Sequence, residues 1–111
     1  MQNVYDLAHE MARSLRETDQ FKDYKKCTEM VKANESLNKM IEDFKTLNIQ
    51  AQTALMTGGQ PDAELTQKIQ SAYAIVMQDP TCAAYLNAEM AFSAVISDIY
   101  KILGDAIDPS K

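Results

Sequence analysis

A chain of 111 residues with a single histidine, two cysteines, three glycines and three prolines is poor in the residues from which most catalytic and metal centres are made. With His9 as the sole imidazole there is no second ligand for a mononuclear zinc site, and no H-E-x-x-H or Glu-x-x-His pair for a hydrolytic or di-iron centre. A serine nucleophile needs a base within reach, and Ser14, five residues from His9, falls on a different face of any helix that holds both. His9 itself lies off the apolar stripe of its segment and reads as solvated. Cys27 and Cys82 are far apart and form no C-x-x-C motif, which favours two reduced thiols in a cytosolic protein.

Positive charge is also scarce. Lys plus Arg number 11 against 16 for Asp plus Glu, a net charge of −5, so the surface repels a phosphate backbone rather than releasing its counterions. The short basic run `KDYKK`, Lys22 to Lys26, combines lysines with an aromatic but is too small to reverse that field, and no direct nucleic-acid binding is expected. No apolar run approaches the roughly 18 residues of a membrane span, and `MQNVYDLAHE` does not read as a secretory signal. No membrane association is expected, and the cytoplasm is the expected compartment.

What is present is helical periodicity, broken where glycine and proline fall. The spacing predicts one all-α domain over residues 1–111, with five helices. The first, about Val4 to Glu17, is capped by Asn3 and carries the stripe Val4, Leu7, Ala8, Met11 and Leu15. A second, about Gln20 to Ala33, has Thr18 or Asp19 as its cap and Phe21, Tyr24 and Val31 on one side. Asn34 starts a long third helix, about Glu35 to Thr57, which Gly58-Gly59 ends. Gln60-Pro61-Asp62 opens a fourth, with Leu65, Ile69, Ala72 and Val76 in line. Asp79-Pro80 is a cap followed by proline at the first helical position, where a missing N–H costs nothing, and a fifth helix then runs to about Ile107.

In the third helix, Leu37, Ile41, Phe44, Asn48, Ala51 and Leu55 form a heptad-like seam, while Ile49 and Met56 project from the opposite face among Glu42, Lys45 and Gln52. The fifth helix gathers Tyr85, Ala88, Phe92, Val95, Ile96, Ile99, Ile102, Leu103 and Ala106 on one broad arc. At about 1.5 Å per residue these two helices should span about 33 Å and 40 Å. A compact domain of this size has a radius of gyration of about 13 Å. Helices this long overhang a compact monomer, so an intertwined homodimer is expected, with the long helices of two protomers in one shared bundle. The interface candidates are Phe44, Leu47, Ile49, Ala51, Leu55, Met56, Phe92, Ile96, Ile99 and Leu103.

Within the apolar arc of the fifth helix sits a carboxylate, Glu89. Burying it unpaired costs several kcal/mol, so it must be protonated, wetted at a seam or paired. Arg16, flanking the stripe of the first helix, is the expected partner; Tyr5, Tyr73 and Tyr85 are further hydrogen-bond candidates. The acids Glu42-Asp43 and Asp105 with Asp108 read as solvated surface charge. No catalytic residue emerges.

The segments `NVYDLAHEMARSLRETDQFKDYKK`, `VKANESLNKMIEDFKTLNIQAQTALMTG` and above all `DPTCAAYLNAEMAFSAVISDIYKILGDAI` resemble the YlbF/YmcA family of small helical bacterial proteins, which includes YheA-type members. The `YLNAEMAFS` core is the most distinctive piece; the family often has a basic residue where Ala91 stands. The resemblance implies a dimer-forming cytosolic protein without known catalytic residues. Some relatives act in competence, sporulation and biofilm formation, in a complex that modulates a membrane-anchored endoribonuclease. The expected function is therefore a non-enzymatic interaction protein, partnered by itself and by other proteins, with no cofactor. Some relatives are associated with iron-sulfur clusters held by cysteines, which makes a cluster or metal-dependent sensor using Cys27 and Cys82 the alternative. A cluster normally takes four thiolates and this chain has two.

Overall fold

The computed structural model describes residues 3–60 and 62–110. These form five helices: α1 (Val4–Arg16), α2 (Asp19–Lys32), α3 (Glu35–Met56), α4 (Ala63–Gln78) and α5 (Pro80–Ile107). No strand occurs among the described residues. Each helix begins where a short polar side chain can accept an orphan backbone N–H. Asn3 Oδ1 accepts from Asp6 N at 2.9 Å, Thr18 Oγ1 from Phe21 N at 3.1 Å, and Asn34 Oδ1 from Ser36 N and Leu37 N at 3.1 and 3.2 Å. Asp62 Oδ1 takes Leu65 N at 2.6 Å and Asp79 Oδ1 takes Cys82 N at 2.9 Å. Pro61, part of the expected opening of the fourth helix, lies outside the described residues.

The end of α3 follows from backbone chemistry. Gly58 adopts φ +85°, a left-handed conformation in which a side chain would be strained. That reversal lets Gly59 N donate to Ala54 O at 2.9 Å, and it satisfies one of the helix's last carbonyls. Helix ends differ from the sequence reading by a residue or so, because the flanking residue acts as cap rather than as last turn: Glu17 and Thr57 cap α1 and α3.

The chain divides into two compact units. The central unit, Cys27–Tyr85, holds the end of α2, all of α3 and α4, and the first residues of α5. Here α3 and α4, joined by the Gly58-Gly59 reversal, pack along one another. Val31, Ile41, Val76, Cys82 and Tyr85 are buried, at 0 to 4% exposure, and Phe44 lies 5.9 Å from Tyr73, ring centre to ring centre. The terminal unit, Met1–Lys26 with Leu86–Lys111, holds α1, most of α2 and the remainder of α5. Leu86 is its one buried residue among those described. Its side chains meet in an aromatic cluster, with Phe92 edge-on to Phe21 at 5.4 Å and stacked on Tyr24 at 5.9 Å.

Candidate functional site

The surfaces open to a partner are those that the helices leave uncovered. On α3, Ile41 is buried while Leu37, Phe44, Leu47, Asn48 and Ala51 are half-buried, as a seam at heptad spacing requires. Leu55 departs from that seam: near the Gly58-Gly59 reversal it is 59% exposed. Ile49 and Met56, on the far side, are 60% and 86% exposed. Leu47 also floors a groove of about 540 Å³ with Ala72 and Ile75 of α4, rimmed by Glu64, Gln67, Lys68 and Ser71. Glu64 and Lys68 pair across one helical turn at 3.4 Å.

On α5, Phe92, Ile96 and Ile99 are half-buried, and Leu103 is exposed. Tyr100, Ile102 and Ile107 are also exposed, as are Val4, Tyr5 and Leu7 at the start of α1. α1 is the most clearly amphipathic of the helices, yet it contributes no buried residue.

Glu89 is half-buried, and the phenol of Tyr24 donates to its Oε2 at 3.4 Å. Tyr24 also stacks on Phe92, so a single α2 side chain covers both the polar and the apolar part of the distinctive α5 segment. The guanidinium of Arg16 lies instead over the ring of Phe21, 5.8 Å from its centre, a cation–π contact. The contacts described thus give Arg16 and Glu89 different partners. Of the other tyrosines considered, Tyr5 is exposed, Tyr73 meets Phe44 and Tyr85 takes Lys45. Tyr24 was legible only as a member of the α2 apolar side, and nothing in local spacing ties it to a residue 65 positions away.

Lys45, which the sequence places on the same side of α3 as Ile49 and Met56, makes a contact that spacing does not reveal. It is half-buried, its ammonium donates to the Tyr85 hydroxyl, and it sits 4.9 Å from the centre of that ring. The four-carbon stem lets the charge travel over an apolar neighbour that the wheel places elsewhere.

Cys27 is half-buried and Cys82 fully buried, with Cys82 Sγ 4.0 Å from the Leu37 carbonyl. Burial, and secondarily the Asp79 carboxylate beside it, push the Cys82 thiol above the ordinary range. Among the described residues no group of three or more His, Cys, Asp or Glu is arranged to hold a metal ion. His9 is exposed. No described helix is long and apolar enough to cross a membrane.

Comparison with known proteins places these surfaces in a family context. The family described as "Control of competence regulator ComK, YlbF/YmcA" matches residues 4–108. The UPF0342 protein of Caldicellulosiruptor bescii is 35% identical, over 97% of this chain and 91% of its own length. That of Clostridium novyi is 38% identical, over 96% and 93%. Among solved structures, a protein of unknown function from Bacillus stearothermophilus superposes with a TM-score of 0.81 at 19% identity, covering 96% of this chain and 93% of the other. YheA of Bacillus subtilis gives 0.69 at 24% identity, covering 96% of each chain. Bacillus subtilis RicA, solved in complex with RicF, gives 0.61 at 17%, covering 94% and 92%. At these identities the three solved structures speak to the fold.

Proposed function

The chain belongs to the YlbF/YmcA family, and from that premise we propose that it is a non-enzymatic regulatory protein that works by binding other proteins, beginning with a second copy of itself. The family is described as controlling the competence regulator ComK, which sets the broad role as regulatory. The finer reading is an accessory subunit of a cytoplasmic complex that modulates RNA processing, and through it competence, sporulation or biofilm formation. Residues 1–111 serve in it as one YlbF/YmcA-like domain.

One observation carries this reading. Val4, Leu7, Ile49, Leu55, Met56 and Ile107 are each between 50% and 86% exposed. Large apolar side chains left open on several helices are surface that another protein can cover. An intertwined homodimer, with α3 and α5 of two protomers sharing a bundle, covers the candidates on both long helices and leaves the remainder for other partners. The structurally similar RicA, solved in complex with RicF, is a precedent for a protein of this fold that binds another protein.

A cluster-dependent sensor is disfavoured by the number of thiols. A cluster normally takes four thiolates, and one chain offers two cysteines. Anaerobically purified protein is expected to be colourless and iron-free; absorption near 400 nm with stoichiometric iron would reinstate the sensor.

The test has two arms. Light scattering across a dilution series is expected to give twice the 12.4 kDa chain mass at micromolar concentration. Deletion of the gene in its native host, followed by mapping of transcript ends, is expected to show loss of processed ends. A stable, folded monomer at high concentration together with an unchanged transcript map would overturn the proposal.

A further inference from the structure

Where the end of α2, the first half of α3 and the start of α5 meet inside the central unit, the chain leaves a cavity of about 150 Å³. Val31, Ile41 and Tyr85 line it and are each buried, at 2%, 3% and 4% exposure. The rest of the lining is polar: Thr28, Asn38 and Lys45 are half-buried, and Lys32 and Glu42 stand exposed. Glu42 accepts from the Asn38 amide at 3.2 Å. Lys45 is the informative member. A lysine on α3 could extend its ammonium into water, yet this one turns inward, lies over the Tyr85 ring and donates to the Tyr85 hydroxyl. Holding so long a side chain there costs rotamer freedom, and a neutral phenol is a weaker acceptor for an ammonium than a carboxylate is. A phenol that accepts from a cation is in turn a better donor through its own proton. The pair thus sets positive charge and a polarised hydroxyl beside an apolar wall.

We infer that this cavity binds a small aliphatic monocarboxylate, with its oxygens at Lys45 and the Tyr85 hydroxyl and its hydrocarbon against Val31 and Ile41. Charge selects a monoanion. Lys32 and Lys45 against Glu42 give the lining one net positive charge, in a chain whose net charge is −5. Volume selects the size, because a cavity of about 150 Å³ accommodates benzene, and butyrate likewise has about six non-hydrogen atoms. The apolar wall selects carboxylate over phosphate: Val31 and Ile41 offer no side-chain donor, so a group that is oxygen on every side would leave some of its oxygens unpaired. The site lies within one unit of one chain and does not depend on the proposed homodimer. Because its walls come from three helices, an occupant that binds only the folded chain also raises the stability of the central unit.

The test is a titration of the full chain, labelled with nitrogen-15, with sodium butyrate at constant ionic strength. The amide signals of Thr28, Lys32, Asn38 and Ile41 are expected to shift saturably, with a dissociation constant of about 1 mM for so small a ligand. Two probes separate the parts of the site: butanol brings the hydrocarbon without the charge, and inorganic phosphate brings charge without hydrocarbon. Each is expected to bind at least about tenfold more weakly than butyrate. Lys45→Met keeps the apolar stem and the helix propensity, and is expected to weaken butyrate by about tenfold or more. Tyr85→Phe keeps the ring and is expected to weaken it severalfold. Either variant suffices where the other loses its helical circular dichroism. Absence of saturable shifts up to roughly 50 mM butyrate would overturn the proposal. So would butanol or phosphate binding as tightly as butyrate, or undiminished binding by the folded variants.

Discussion

The central and terminal units use the same materials to different ends. The central unit buries Val31, Ile41, Val76, Cys82 and Tyr85, whereas the terminal unit buries Leu86 alone among the described residues. Composition does not explain this, since α1 is the more amphipathic helix and α5 the more apolar one. Connection does: the Gly58-Gly59 reversal returns α4 along α3, so each finds its apolar partner next in sequence. The terminal unit is assembled from segments at opposite ends of the chain, and the faces of α1 and α5 include Val4, Leu7, Leu103 and Ile107, all well exposed. The difference lies in what is buried: both units expose large apolar side chains, Ile49, Leu55 and Met56 in the central one and Val4, Leu7 and Ile107 in the terminal one.

The largest test of that contrast is a pair of truncations. Ile41, at 3% exposure, should lose about 2–4 kcal/mol on Ile41→Ala, read as a lower urea midpoint at any protein concentration. Ile107, at 77% exposure, should lose under about 0.5 kcal/mol on Ile107→Ala in protein dilute enough to be monomeric, and should instead show its effect as dissociation at higher concentration. A concentration-independent loss at Ile107 comparable to that at Ile41 would erase the distinction.

A second test uses the two thiols, both in the central unit. Buried Cys82 should label with an aromatic disulfide at least about a hundredfold more slowly than half-buried Cys27, because reaction requires opening of the unit. The pH dependence follows from the raised thiol. In the unfolded chain Cys82 titrates near the ordinary value, about 8.5, and in the folded chain above it. Its contribution is therefore complete below about pH 8.5 and is lost as pH rises through the folded value. The urea midpoint of the wild type should fall more steeply above that pH than that of Cys82→Ala, and parallel curves would contradict the assignment.

Much of this architecture could be read from residues alone, because it is set by local chemistry. Asn3, Asn34, Asp62 and Asp79 each cap the helix that their position predicts, and Gly58 takes the left-handed conformation. Those devices act within a few residues, where order along the chain equals proximity in space. Glu89 stood out for the same reason, as an acid in an apolar arc. Its Tyr24 contact did not, because it spans 65 positions, and helix phase, which points to Arg16, does not reveal that Phe21 lies beneath its guanidinium. Lys45 shows the matching failure: a wheel assigns the Cα to a face, but a long side chain carries its charge over Tyr85.

The Tyr24–Glu89 contact gives the next smaller effect. A double-mutant cycle of Tyr24→Phe with Glu89→Gln should show coupling of about 0.5–1 kcal/mol, since the bond is long at 3.4 Å and half-buried. The corresponding cycle for Arg16 and Glu89 should be additive within about 0.3–0.5 kcal/mol. A stronger coupling to Arg16 than to Tyr24 would return the polar peg to the pairing first expected from sequence.

The smallest effects should be the same in both units, and that sameness isolates the cause of their difference. Lys68–Glu64 at 3.4 Å belongs to the central unit and Lys22–Glu17 at 3.9 Å to the terminal one, with every side chain 60–79% exposed. Water and salt screen such pairs, and the ordering of two long side chains offsets most of what remains. Each cycle of alanine substitutions should give no more than about 0.5 kcal/mol, falling further in molar salt. If one pair contributed well over 1 kcal/mol and the other nothing, surface charge as well as buried apolar area would separate the two halves of the molecule. Equal, small values leave the buried side chains, Val31, Ile41, Val76, Cys82 and Tyr85 against Leu86 alone, as the difference between the two units among the described residues.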